Sequence, residues 1–310
     1  MDIKQYRQQV ESELRASEPG APPAGETVEA AAARATAPGA QAAGDRTSDP
    51  EIRARAMTDV AVSESNAAQV LPLLLSVLRD ATEAPVVRLA ALRGLKAASF
   101  LPPLFSAWRP QFLQTLREIA TDADPSVRES ALEVLSMHKD GYVQGLLMDG
   151  LRHPERALVA AAKAVQLLSH DPHADHFPML RQFAQQGVDL DTRIESLRAL
   201  AADPGSHDLL ARLFQDRNEF RQVRALSAAG LQFLDPNRFV EVAKSIVADP
   251  DEYDDIRTTS MNALSRFDDY REALRDSGFV DRVRALRDNV KSETLRSSAQ
   301  RFLRRHDEDR

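Results

Sequence analysis

The stretch DADPSVRESALEVL, residues 122–135, decides the fold. It holds a helix start and a helix face together. Asp124 can cap a helix, and Pro125 suits the first helical position. Val127, Ala131 and Leu135 follow at intervals of four and stack on one side of that helix. Anchored on Arg128, the pattern recurs along the chain, with anchors at Arg53, Arg88, Arg128, Leu158, Arg193, Arg224, Arg257 and Arg296. The steps between anchors are 35, 40, 30, 35, 31, 33 and 39 residues. One residue before the anchor stands Ile52, Val87, Val127, Ala157, Thr192, Val223, Ile256 or Leu295. Three residues after it stands a small residue: Ala56, Ala91, Ala131, Ala161, Ser196, Ser227, Ser260 or Ala299. Seven after it stands an aliphatic one: Val60, Leu95, Leu135, Val165, Leu200, Leu231, Leu264 or Leu303. Small residues at the middle position let a neighbouring helix approach closely.

Working outward, each copy is preceded by a second amphipathic segment, such as AAQVLPLLLSVLRD (67–80), GYVQGLLMDGL (141–151), DLLARLFQD (208–216) or RFVEVAKSIVAD (238–249). Asp49-Pro50, Asp124-Pro125, His153-Pro154 and Asp249-Pro250 mark turns between the two. The unit is therefore helix–turn–helix, repeated, and the fold class is all-α. An acidic residue and proline, then an aliphatic–Arg pair with a small residue three later, resembles the HEAT repeat in its bacterial form, also found in bilin-lyase-type HEAT-like proteins. The resemblance covers about residues 48–305. It implies an α-solenoid of about 7–8 helical hairpins, with the second helices lining a concave face. It also implies a ladder in which the arginine column meets acidic turn residues, carried over to Asp122, Asp124 and Arg128, and more loosely to Asp249 and Arg257. Leu158 departs from the pattern by replacing the arginine.

The composition agrees. The chain is 43% hydrophobic, 28% charged and only 5% aromatic, with small aliphatic residues carrying the hydrophobicity. It has no cysteine, which excludes disulfides, zinc–thiolate sites and thiol nucleophiles. A net charge of −7 opposes broad binding to nucleic acid or anionic membrane. No apolar run approaches the ~18 residues of a membrane span. The opening MDIKQYRQQVESELRASEPG lacks the apolar core of a secretory signal, so a cytoplasmic protein is expected.

Three zones are expected. Residues 1–17 read as a short amphipathic helix whose stripe, Ile3, Tyr6, Val10 and Leu14, could dock onto a partner or onto the protein itself. Residues 18–47, rich in Ala, Pro and Gly, read as a disordered linker. Residues 48–310 form the repeat array.

Chemistry is sparse. The segment HDPHADH carries His170, Asp171, His173, Asp175 and His176, and the three histidines are the one weak candidate for a metal. A polar turn, with Pro172 ending a helix, explains the same residues. Deoxyhypusine hydroxylase, a HEAT-like enzyme, builds a di-iron site from His-Glu pairs, and none of the seven histidines here precedes Glu. Trp108, the sole tryptophan, reads as packing at a helix junction. The acidic DPDEYDD (249–255) reads as a solvent-facing turn, since it lacks the glycine and distal Glu of a calcium loop. No catalytic residue and no cofactor is expected.

Five and eight residues past the anchor, two columns point away from the packed stripe. They carry Arg93, Lys96, Lys163, Arg198, Arg301 and Arg304, with Gln166 and Gln232 among the neutral members, against one acidic residue, Glu133. The expected function is a non-catalytic scaffold that binds a protein, through an acidic segment, on this face. The alternative is an accessory enzyme factor, bilin-lyase-like or metal-dependent.

Overall fold

The computed structural model describes residues 39–173, 175–186 and 189–307. Among them every regular element is helical: eighteen α-helices and three short 3-10 turns. None of the helices is long and apolar enough to cross a membrane. The chain divides into two compact units, at Val159 and Ala160.

The first unit contains α1 (Ala40–Gly44), α2 (Pro50–Thr58), α3 (Ala67–Arg79), α4 (Pro85–Ser99), α5 (Pro102–Phe105), α6 (Arg109–Ile119), α7 (Pro125–Met137) and α8 (Gly141–Arg152). Hairpins α1/α2, α3/α4 and α6/α7 stack, the second helices packing in the order α2, α4, α7. The second unit contains α9 (Ala161–Leu168), α10 (Phe177–Gln186), α11 (Leu190–Leu200), α12 (His207–Gln215), α13 (Arg221–Leu234), α14 (Pro236–Ala248), α15 (Asp254–Leu264), α16 (Arg271–Leu274), α17 (Ser277–Asn289) and α18 (Glu293–His306). Its hairpins are α10/α11, α12/α13, α14/α15 and α17/α18. Helix α9 packs on α11, α11 on α13, and α15 on α18.

Local chemistry sets the helix starts. Asp49 accepts a hydrogen bond from the Glu51 amide at 2.8 Å, with Pro50 opening α2. Asp124 accepts from Ser126 and Val127 at 2.9 and 3.0 Å, with Pro125 opening α7. Asp140, Asp189, Asp235 and Ser292 cap α8, α11, α14 and α18 in the same way. Asp249-Pro250 departs from this reading: Asp249 closes α14, and α15 starts only at Asp254.

The column of aliphatic residues seven past the anchor is buried in all eight copies. Each such residue contributes about 1.5–3 kcal/mol of transfer free energy. The column before the anchor is less uniform. Val87, Val127, Thr192, Val223 and Leu295 are buried, but Ile52 is 60% exposed, because its leading helix α1 is only five residues long. The two longest steps have a structural cause. The 40-residue step admits the short helix α5, and the 39-residue step admits a 3-10 turn at Asp268–Tyr270 and helix α16. Trp108 is buried at the start of α6, beside the edge-to-face pair Phe105–Phe112 at 5.3 Å.

The linker reading of residues 18–47 is corrected at its end. Residues 40–44 form α1, with Ala40 and Ala43 buried against α2. Gly39 makes this possible: its φ is +83°, and a Cβ there would lie 2.8 Å from the Ala56 carbonyl oxygen. The helix expected over 1–17, its stripe Ile3, Tyr6, Val10 and Leu14, and linker residues 18–38 lie outside the described residues.

Candidate functional site

Two features are built on the second helices: a buried arginine ladder and an exposed face. The ladder starts from the anchor arginine, about one turn into its helix. In α2, Arg53 donates from Nε and Nη2 to the Ala43 carbonyl, at 3.2 and 3.1 Å. Its guanidinium also grips Glu83, ahead of α4, at 2.8 and 2.5 Å. Arg88 repeats the arrangement with the Leu78 carbonyl at 3.0 Å and Asp122 at 2.5 Å. In the second unit, Arg193 takes the Ala184 carbonyl and Glu219. Arg224 takes the Phe214 carbonyl at 2.9 Å and both oxygens of Glu252. Each arginine thus satisfies an orphan carbonyl at the end of its own leading helix and ties it to the turn of the next repeat.

The register differs from the one inferred for Asp122, Asp124, Arg128, Asp249 and Arg257. Asp122 serves the arginine of the preceding repeat, Arg88, while Asp124 is spent on capping α7. Arg128 donates instead to three carbonyls, those of Asp122, Ala123 and Leu158. Asp249 pairs with Arg217, and Arg257 takes the Val247 carbonyl at 3.1 Å and Asp254 at 3.4 Å. The geometric reason is reach. Asp124, just ahead of Arg128 on its own helix start, is committed to the backbone amides of that start. The acid ahead of the next helix is left to accept the guanidinium. The ladder acids Glu83, Glu219 and Glu252 were missed. Their signal was a carboxylate five residues before the next anchor. The acidic turn 249–255 is accounted for by arginines: Arg217 holds Asp249, Arg224 holds Glu252, Arg257 holds Asp254 and Arg221 holds Asp255.

Electrostatics follow the geometry. The hydrogen bond from Arg88 holds the Asp122 carboxyl below the usual carboxylate range. Burial pushes Glu252 up, but the Arg224 hydrogen bond, the Tyr253 amide and the Arg224 charge outweigh it and leave Glu252 low.

The exposed face holds the two polar columns. On α4, Arg93 is exposed and Lys96 half-buried, and neither has an ion-pair partner among the described residues. In the second unit Gln166, Gln232 and Arg304 are exposed. Lys163 is half-buried and partnered. Arg198 pairs with Glu195 on its own helix. Arg301 donates to Asn262 Oδ1 and Ser298 Oγ at 2.9 Å and to Ser297 Oγ at 3.2 Å. The columns are therefore exposed for the most part, but two of their arginines are already engaged.

The histidine-rich segment does not assemble. His176 turns inward, 1% exposed, with its ring 4.6 Å from Phe177, while His170 and His173 stay on the surface. Among the described residues no three or more His, Asp or Glu side chains come together as metal ligands.

Residues 39–136 match a family model described as HEAT repeats. No curated protein matches the chain. Among solved structures, human deoxyhypusine hydroxylase in complex with glycerol is similar at 13% identity and a TM-score of 0.34, over 77% of this chain and 96% of that one.

Proposed function

Because this chain is a HEAT-repeat protein, we propose that it acts as a non-catalytic scaffold, holding an acidic segment of a partner protein against the exposed face of its second helices. The observation that supports this is the pair Arg93 and Lys96 on α4. Both are cations without an ion-pair partner among the described residues, on a protein whose net charge is −7. Among the described residues more than half of the arginines are paired with carboxylates, as Arg53, Arg88, Arg117 and Arg224 are. A surface cation left unpaired on a repeat-built face is available to a carboxylate from outside, and stacked repeats fix the backbone that presents it, so that only side-chain freedom is lost on binding. The ladder supports the mechanism by fixing each helix against the next.

Charge reversal tests it. Arg93→Glu with Lys96→Glu should abolish capture of a partner retained by the wild-type chain, while the circular dichroism spectrum and melting temperature stay unchanged. Equal capture by the folded variant overturns the proposal.

A further inference from the structure

The end of the second unit holds a cleft of about 320 Å³, lined by Asn262, Ser265, Arg266, Arg301 and Arg305. Every lining side chain is polar, three are guanidinium groups and none is a carboxylate. The polar groups of that lining are mainly guanidinium donors, which favour an anionic acceptor.

The hydrogen bonds divide the three arginines. Arg305 is neutralised: Asp268 accepts from its Nε at 2.9 Å and from its Nη2, and Asp268 also takes Arg271 at 3.5 Å. Arg301 is held in place by neutral oxygens only, those of Asn262, Ser297 and Ser298. Arg266, exposed just past the end of α15, has no side-chain partner among the described residues. Two guanidinium charges therefore face the cleft uncompensated. A guanidinium carries five N–H donors, and Arg301 spends three on its neighbours. Arg266 spends none, so the cleft is rich in donors.

Basic residues near a helix end also suit the helix dipole, and α18 has Arg304, Arg305 and His306 in its last turn. The dipole accounts for their presence there. It does not account for Arg266 and Arg301 lining one cleft from two different repeats with neither paired to a carboxylate.

We propose that this cleft binds a phosphorylated side chain, a phosphoserine or phosphothreonine, on the partner protein. The charge decides between oxyanions. A phosphate monoester carries about −1.5 to −2 at neutral pH and offers three strong acceptor oxygens. It matches the two free guanidiniums, whereas a single carboxylate leaves one unpaired. Arg301, pre-positioned by three hydrogen bonds, offers its remaining donors at low entropic cost. Arg266, exposed and without a side-chain partner among the described residues, supplies the second guanidinium of the lining. The inference rests on the scaffold reading, which gives the partner, and adds the chemistry of one contact.

The test uses the full chain and a short Gly/Ser peptide with one central phosphoserine, titrated calorimetrically at low ionic strength. Comparison probes are the same peptide with Glu-Glu in place of phosphoserine, and inorganic phosphate. Saturable binding of the phosphopeptide is expected. It should weaken about tenfold or more in Arg266→Ala, an exposed site whose loss leaves the fold intact, and also in Arg301→Lys, which keeps the charge but loses the planar fork. Arg55→Glu, an exposed site on α2 outside both proposed binding faces, should leave it unchanged. Absence of saturable binding, or equal binding by Arg266→Ala, overturns the site. Equal binding of the Glu-Glu peptide overturns the phosphoryl assignment, and tighter binding of inorganic phosphate overturns the peptide one. Loss of phosphopeptide binding in Arg266→Ala, with partner capture insensitive to Arg93→Glu and Lys96→Glu, refutes the scaffold face and leaves the cleft standing. The converse result refutes the cleft alone.

Discussion

Arg221 and Arg224 lie one turn apart at the start of α13, and each meets a carboxylate of the following acidic turn, yet their removal should have very different effects. The side chains of Arg224 and Glu252 are 1% and 2% exposed, and those of Arg221 and Asp255 are 65% and 49% exposed. Arg224→Ala strands Glu252 in the interior with a single hydrogen bond, from the Tyr253 amide at 2.8 Å, and the more distant Arg217 charge to stabilise it. It also deprives the Phe214 carbonyl of its donor. An uncompensated buried charge costs about 3–5 kcal/mol. Arg221→Ala removes an exposed ion pair and a cation 5.3 Å from the Tyr253 ring, together worth about 1 kcal/mol or less. For a unit of this size, 1 kcal/mol moves the midpoint by about 2–4 °C. Arg224→Ala should therefore lower the melting transition of the second unit by about 10 °C, against about 3 °C for Arg221→Ala. Urea and thermal unfolding followed by circular dichroism read both, with a transition fitted to each unit. A third arm separates charge from packing. Arg224→Met with Glu252→Leu removes both charges and should recover most of the loss, since an apolar replacement of a buried pair is often neutral or stabilising. Acid gives a fourth. The wild-type pair stabilises the fold above the ordinary glutamate pKa, about 4.3, and that contribution is lost as pH falls through the lower folded value. In Arg224→Ala the defect should instead shrink on acidification, because protonation discharges Glu252. Equal losses for Arg221→Ala and Arg224→Ala, or a double variant no better than Arg224→Ala, would refute the reasoning.

Two further outcomes are expected. His176 and His306 are buried, and burial lowers the pKa of both, against the pull of Asp171, Asp175 and Asp203 on His176. The unfolded chain binds a proton at each near pH 6.5, so stability is full above that pH and falls below it until the folded values are reached. His176→Phe with His306→Phe should flatten the stability curve below about pH 6.5, as measured by urea midpoints; an unchanged slope would show that neither histidine contributes. Asp140 both caps α8, accepting from Tyr142 and Val143 at 3.1 and 3.4 Å, and takes Arg117 at 3.0 and 2.7 Å, while Asp124 caps only. Asp124→Ala should cost about 1 kcal/mol and Asp140→Ala clearly more, and the reverse order in denaturation would show that Arg117 adds nothing.

The repeat was legible because it depends on the shortest-range signal. Columns at −1, +3 and +7 fall on one helical face whatever surrounds them, and the +7 column is buried throughout. Turn chemistry was legible where Asp-Pro opens a helix, at Asp49 and Asp124, and misleading at Asp249, where the same dipeptide sits four residues early. Ladder partners were harder to read because they are 26 to 34 residues apart, set by how one repeat stacks on the next. Helix α1 was hidden by composition. Its five residues look like linker, and its place depends on Gly39 meeting Ala56. The arginine cleft was only half visible: Arg301 stood in a marked column, but Arg266 lies beyond the end of α15, outside any helical periodicity.

The single lost anchor ties sequence to domain structure. At Leu158 the arginine is missing and the second helix is shortened: α9 begins at Ala161, three residues after the anchor, whereas α7 begins three before Arg128. With the chain extended there, the Leu158 carbonyl has no helical partner and is free to accept from Arg128 Nε at 2.8 Å. A backbone carbonyl thus takes the place that Glu83 and Asp122 fill in the preceding repeats. The substitution satisfies Arg128 but supplies no guanidinium to carry the ladder forward, and the boundary between the compact units falls one residue later, at Val159. In the second unit the ladder resumes at Arg193 with its own acids, Glu219 and then Glu252. Each unit therefore fixes its helices with its own set of arginines. The lost anchor thus coincides with the boundary between the two compact units.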